Sequence, residues 1–443
     1  MQQHDRHEIL SENLPAYTPL GQDGASLPQN VLRIIFWHLT IGPYNDTSFQ
    51  KQHARAIRPF VVAAVCHSWR CAALNPLSSL MWSFLFVPAR MRPRFMAAYV
   101  GAVLQRSHHA PIDIILEFCD EKYEGVYELL ILVLAAARDR WYRFIAVISP
   151  NILQLVIDQL CQPTPTLKTL LISLQRVPSD VWGIQTSYPV TEAVIGNLLP
   201  VAPLLTRLSL VNTSTLWGNV GANLVARLST LDVVQQHLND HEVASQLISG
   251  SEISTLTIGA QSASVDGRPL RGVHLPMLRT LRIINNADVI LSTYPEVFCN
   301  PHLESLHLQN CHILRFQAFF MHATATSRII RLRLNTCLQF GELETHTLLL
   351  LSGIQDVELR ATPVPTAFLV RLCETTPRQI MWPRLKRLVL DQSPVNELAV
   401  QEMRSEPGAR DYQGRDIWSR FGIPAAQLHE IQILAQRPPN YAP

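Results

Sequence analysis

His237 and His241 stand one helical turn apart in the run His237-Leu238-Asn239-Asp240-His241. That spacing could bring two imidazoles to one divalent cation. The glutamate that makes such a pair a zinc-protease site is missing, since Leu238 follows the first histidine. The pair therefore reads as part of a polar return segment, and no metal site is assigned. Eight cysteines are scattered over the chain, and the closest two, Cys66 and Cys71, are not in a Cys-x-x-Cys pair. A zinc ribbon or a redox dithiol would need that pair. His108-His109 reads as the end of a surface helix. Asn45 and Asn212 each begin an Asn-x-Ser/Thr triplet, but Met1-Gln2-Gln3-His4-Asp5-Arg6 begins no apolar signal core. Gly-x-Ser-x-Gly, phosphate-loop and dinucleotide patterns are all absent. The expectation is a chain with no catalytic residues, no metal and no cofactor, and hence no enzyme.

Composition narrows the class. The 443 residues are 47% hydrophobic and 16% charged, which supports a large buried core and argues against a disordered chain. That length implies several domains or a repeat array. A net charge of +2 gives no electrostatic case for nucleic acid. The longest apolar run, Leu129 to Ala137, is far short of the roughly 20 residues a bilayer requires. A soluble protein of the cytoplasm and/or nucleus is expected, with free thiols and no membrane partner.

Apolar periodicity places the elements. Residues 1–25 read as a disordered lead-in. A helix is expected over 26–39, with Ser26 and Gln29 at capping-box spacing and Pro28 in the first turn. Val31, Leu32, Ile35, Phe36 and Leu39 share its apolar face. Residues 40–57 read as a loop. A second helix is expected from Pro59 to just before Asn75-Pro76, with Val62, Val65, Cys66, Trp69 and Ala73 on one face. Phe95–Gln105 and Tyr127–Ala137 then read as helices, and Ile112–Phe118 and Trp141–Ile148 as strands.

From about residue 161 to 435 an apolar-x-x-apolar-x-apolar unit recurs. It begins at Leu167, Leu205, Leu228, Ile253, Leu278, Leu303, Ile329, Ile354, Leu385 and Leu428. From the second to the eighth unit the steps are 23, 25, 25, 25, 26 and 25 residues. This is the period of a leucine-rich repeat. Alternate apolar residues of each short strand point inward, and no repeat buries its face alone, so the array stacks into a curved solenoid with a parallel sheet on its concave face. In such repeats an Asn or Cys three residues past the last apolar position bonds loop backbone, and Cys311, Cys337 and Asn286 hold that place. Steps of 38, 31 and 43 imply insertions or degenerate end repeats, 404–418 reads as a surface loop, and 436–443 as a tail. The intervening strand positions would face a ligand. Arg207, Thr257, Arg282, His307, Arg331, Arg333 and Arg387 are the candidates, in a polar mixture suited to a protein target.

The N-terminal pattern resembles an F-box. Leu27-Pro28, the apolar face to Leu39, Val65-Cys66-x-x-Trp69-Arg70-x-x-Ala73-Leu74 and Met81-Trp82 carry the likeness. The wide gap between the helices, Arg106-Ser107-His108-His109-Ala110-Pro111 and Arg140-Trp141 resemble the expanded F-box-like proteins of mushroom-forming fungi. The resemblance implies an α/β protein with a small all-helical F-box over 26–84, a helix-strand connector over 85–160 and the repeats beyond. It implies a substrate-recognition subunit of a cullin-type ubiquitin ligase, docking a Skp-family adaptor and its cullin scaffold while the repeats hold an unknown target. Adaptor contacts would come from Leu27, Pro28, Val31, Leu32, Ile35, Val65, Cys66, Trp69, Leu74 and Trp82, with Trp69 leaning toward the core against helix one. The alternative is a repeat scaffold that binds protein without any ligase.

Overall fold

The computed structural model describes residues 27–40, 49–89, 91–118, 123–174, 198–213, 216, 220–235, 251–260, 274–285, 302–321, 328–337, 341–364, 368, 382, 384–391 and 430–434. The lead-in and tail, Asn45, His237 to His241, Asn286 and the 404–418 loop lie outside them. The chain divides into two compact units, Met1–Trp82 and Ser83–Pro443.

The first unit is helical. Helix α1 spans Gln29–Thr40, and the Pro28 carbonyl accepts from the Leu32 amide at 3.1 Å to start it. Helix α2 spans Phe49–Ala64, beginning ten residues upstream of the expected Pro59. The stretch from Gln50 to Arg58 is polar, but Gln, Lys, Ala and Arg are strong helix formers, and buried Ala56 and Pro59 face inward. The expected second helix also breaks in two, because Cys66 is extended (φ −159°, ψ 174°) and caps a separate helix α3, His67–Ala73. Arg70 closes the joint by donating from Nε to the Ala63 carbonyl at 3.0 Å. A cation on the orphan carbonyls of a helix C-terminus is a favoured arrangement.

A 3₁₀ segment, Pro76–Trp82, completes the unit. Leu32 and Phe36 of α1 bury against Val62 and Ala63 of α2, Ala72 and Ala73 of α3, and Met81 and Trp82. The Trp82 indole donates to the Ala73 carbonyl at 2.8 Å and meets the Phe60 ring edge-on at 5.0 Å. Arg58 reaches the Leu39 carbonyl at 2.9 Å, so α1 and α2 are joined by both packing and hydrogen bonding.

The second unit is α/β. Thirteen parallel strands lie in sequence order. The first three are β1 (Phe84–Val87), β2 (Ile112–Phe118) and β3 (Trp141–Ile148). They alternate with helices α4 (Pro93–Arg106), α5 (Glu124–Ala135) and α6 (Pro150–Leu160). Pairing runs unbroken from β3 into β4 (Thr169–Leu174), so the connector and the repeats share one sheet. The later strands are β5 (Arg207–Val211), β6 (Thr230–Gln235), β7 (Thr255–Ala260), β8 (Thr280–Asn285), β9 (Ser305–Gln309), β10 (Arg331–Asn335), β11 (Asp356–Arg360), β12 (Arg387–Asp391) and β13 (Glu430–Leu434). Each pairs its first residue with the first residue of the next, in a solenoid-like arrangement.

That register stacks the second and fourth residues of successive strands into buried apolar columns, such as Leu256 and Ile258, Leu281 and Ile283, and Leu306 and Leu308. The apolar residue two positions ahead of each strand takes no part in pairing, yet Ile253, Leu278, Leu303, Ile329 and Ile354 are all fully buried. Past several strands comes one residue with positive φ, namely Asn212, Asn310, Thr336 and Ala361. Their amides donate to the neighbouring strand's end, as from Thr336 to the Arg360 carbonyl at 2.9 Å. The next residue turns inward. Cys311 Sγ points to the Asn285 carbonyl at 3.3 Å and Cys337 Sγ to the Leu308 carbonyl at 3.5 Å. Thr362 takes the same place on β11, accepting from the Cys337 amide at 3.3 Å and donating to the Arg360 carbonyl at 2.9 Å. Among the described residues no helix is long and apolar enough to cross a membrane.

Candidate protein-binding surfaces

In the helical unit the core is filled, and large apolar side chains are nevertheless left outside. A groove of about 410 Å³ runs between α1 and the 3₁₀ segment. Ile34 and Trp37 line one side, Leu77 and Leu80 the other, with Arg33 beside them. Leu77 is 72% exposed, Ile34 59%, and Trp37 and Leu80 each 45%. Residues three apart share a face on both kinds of helix, so each pair forms a ridge. Contiguous exposed apolar surface of this kind is a common feature of protein interaction sites.

None of the ten residues expected to contact an adaptor lines this groove. Leu27, Pro28, Val65, Cys66 and Leu74 are exposed elsewhere on the unit, and Val31 and Ile35 are half-buried. Leu32 and Trp82, expected as contacts, are corrected to core residues, each 1% exposed. Both project into the space where α1, α2 and α3 converge, and neither can meet a partner without opening the unit. Val65 and Cys66 leave the expected apolar face because the helix breaks beneath them. Trp69 packs on Phe36 with ring centroids 5.2 Å apart. The signal for the missed groove was present. Ile34 and Trp37 are apolar on the side of α1 opposite Leu32 and Phe36, where a helix with one buried stripe carries polar residues.

On the sheet, the first, third and fifth residues of each strand from β5 onward share the face opposite the buried columns. Cross-strand ion pairs tile much of it. Arg207 meets Asp232 at 3.1 Å, Arg333 meets Glu358 at 3.1 Å, Arg360 meets Asp391 at 3.2 Å and Arg387 meets Asp356 at 3.0 Å. Of the seven expected target contacts, Arg207, Arg282, Arg331 and Arg333 are exposed, and His307 and Arg387 are half-buried. Thr257 is corrected: it is 5% exposed, a short side chain sheltered in the row between Asp232 of β6 and Arg282 of β8.

Arg282, His307 and Arg333 occupy one row on adjacent strands, and Arg331 sits two residues before Arg333 on the same face. Burial and the surrounding guanidiniums of Arg333, Arg282 and Arg331 push the His307 imidazole down to about 4, so it is neutral at pH 7. Its Nε2 lies 3.0 Å from Ser305 Oγ. Arg282 donates to the Gln309 side-chain oxygen at 2.8 Å. Among the described residues no group of three or more His, Cys, Asp or Glu side chains could hold a metal ion. No family model matches the sequence, and no curated protein matches it.

Proposed function

We propose that this chain is the substrate-recognition subunit of a cullin-type ubiquitin ligase. Its helical unit acts as an F-box that docks a Skp-family adaptor, and its leucine-rich repeats hold a target protein on the polar sheet face. The observation that carries this reading is the groove between α1 and the 3₁₀ segment. A unit that has closed its own core, yet leaves Ile34, Trp37, Leu77 and Leu80 outside, gains by burying them against a partner. The repeats support the second half, since a mixed-charge sheet face suits protein recognition. The chain itself performs no chemistry in this reading. It raises the target's local concentration at a ubiquitin-carrying enzyme held by other subunits.

The test is a pull-down of the full chain by purified Skp-family adaptor. The wild type is retained, and Leu77→Asp with Leu80→Asp lowers affinity by about tenfold or more while the circular dichroism spectrum is unchanged. Absence of wild-type binding ends the ligase reading. The burial of Leu32 and Trp82, two of the contacts expected from the F-box likeness, favours a second reading, a protein-binding scaffold without an adaptor. The same pull-down decides between them.

A further inference from the structure

We infer that the outer face of α2 is a docking surface for the acidic lead-in of the same molecule, taken through residues 8–14. The inference goes beyond the ligase reading and stands whether or not an adaptor occupies the α1 groove.

Helix α2 buries Ala56, Val62 and Ala63 on its inner side. A helix with one buried stripe carries polar residues on the other. The second half of α2 does not. Ile57 is 41% exposed, Val61 59%, and Val65, just past the helix end, 57%. Spaced four residues apart, they follow one another along a single stripe. Ala64, also exposed, widens it. Lys51 and Arg58 are exposed and seven residues apart, so both lie along one edge of the stripe. Arg58 also reaches the Leu39 carbonyl, which brings the end of α1 to that edge.

Charge selects the occupant. Residues 27–82 carry Arg33, Lys51, Arg55, Arg58 and Arg70 against the single Asp46. Residues 1–26 carry Asp5, Glu8, Glu12 and Asp23 against the single Arg6. The two stretches are opposite in sign and adjoin in the chain. Within the second, Glu8-Ile9-Leu10-Ser11-Glu12-Asn13-Leu14 sets three large apolar residues among two carboxylates. Ile9, Leu10 and Leu14 supply the apolar surface that Ile57, Val61 and Val65 lack, and Glu8 and Glu12 the counter-charge for Lys51 and Arg58. The α1 groove is a poorer match, because Arg33 is the one cation among the described residues lining it and is half-buried.

The chain is long enough. The stretch from Leu14 to Leu27 can reach about 45 Å when extended. The 12 residues of α1, which separate Leu27 from the Leu39–Arg58 contact, are only about 18 Å long. A tether this short gives an effective concentration of about a millimolar, so a contact too weak to hold a separate peptide is still made.

The experiment uses the full chain with benzoylphenylalanine in place of Val61, an exposed position whose change leaves the core of the unit intact. Irradiation joins position 61 to the lead-in around residues 8–14, read by mass spectrometry of the digest. In an equal mixture of natural and nitrogen-15 chains, the join falls within one chain. Glu8→Arg with Glu12→Arg lowers the yield about fivefold, and Ile9→Asp with Leu14→Asp does the same. A tenfold rise in sodium chloride lowers it about threefold, because the ion pairs are screened. Benzoylphenylalanine in place of Leu77, in the α1 groove, gives at most about a third of the yield. No join between position 61 and the lead-in overturns the inference, as does a yield that either double variant leaves unchanged. A join between natural and nitrogen-15 chains makes the occupant a second copy, and a stronger join from position 77 moves the segment to the groove. Either result also overturns it.

Discussion

Replacing Thr362 with Val tests how the turns behind the sheet are held. Thr362 is fully buried. Its hydroxyl accepts from the Cys337 amide at 3.3 Å and has two acceptors for its single proton, the carbonyls of Arg360 at 2.9 Å and Leu334 at 3.3 Å. Valine keeps the shape, so no cavity opens, and the change isolates the hydroxyl. The Cys337 amide then loses the Thr362 hydroxyl as its acceptor in a buried place, which costs about 1–3 kcal/mol. Taking about 2 kcal/mol, the local opening equilibrium rises by roughly 30-fold, since 1.4 kcal/mol is tenfold. A global melting curve is a poor assay, because a stacked array need not unfold in one step. Hydrogen exchange resolved to residues 328–337 reads the opening directly. The Cys337 amide should lose about 30-fold in protection, and Thr362→Ser should restore most of it. Wild-type protection in the valine variant, or equal loss in the serine variant, refutes the reasoning.

Three further outcomes follow from the geometry. Thr336 is a β-branched residue held at φ 53°, so Thr336→Gly should stabilise β10 by about 0.5–1 kcal/mol in urea unfolding, and a loss of stability would contradict the strain argument. A Cβ on Gly259 would lie 2.9 Å from Val234 Cγ1 and 3.2 Å from Ile284 Cβ, so Gly259→Ala should cost about 1–3 kcal/mol, against no change if the strands can part. His307 holds its proton less well in the fold (about 4) than when unfolded (6.5). The unfolded chain therefore gains the proton first, and stability falls as pH drops from 6.5 toward 4, by about 1–3 kcal/mol. His307→Gln should flatten that part of the acid slope, and an unaltered slope would show the imidazole is not desolvated.

The repeat was legible because its signal is redundant. Leu281 and Ile283, Leu306 and Leu308, and Leu332 and Leu334 repeat both an alternation and a period, and every unit supplies the register again. The inward turn residue was legible at Cys311 and Cys337 but not at Thr213 and Thr362, where threonine occupies the same buried place. The helical unit read less clearly. Gln50 to Arg58 carries no apolar stripe of its own, so its helix is set by propensity and by what packs around it. The break at Cys66 is fixed by Arg70 reaching back to Ala63, a contact no spacing rule foretells. Leu32 and Ile34 differ only in which side of α1 they occupy, and that side is decided by where α2 and α3 lie. The basic row was named residue by residue, while its convergence on His307 depends on register across three strands.

The sequential order of the sheet bears on how the chain is made. Every strand from β2 onward has a partner that precedes it in the sequence, and none waits for a strand still to be synthesised. A ribosome adds about 5–20 residues per second, so each repeat of some 25 residues emerges over roughly 1–5 seconds. Strand docking is far faster than that. The growing end can therefore be zipped onto finished sheet as it appears, and the exposed edge at any moment is a single strand wide. A parallel sheet is ordinarily slow to assemble because its partners lie far apart along the chain. Here that delay is removed by writing the strands in the order in which they are laid down.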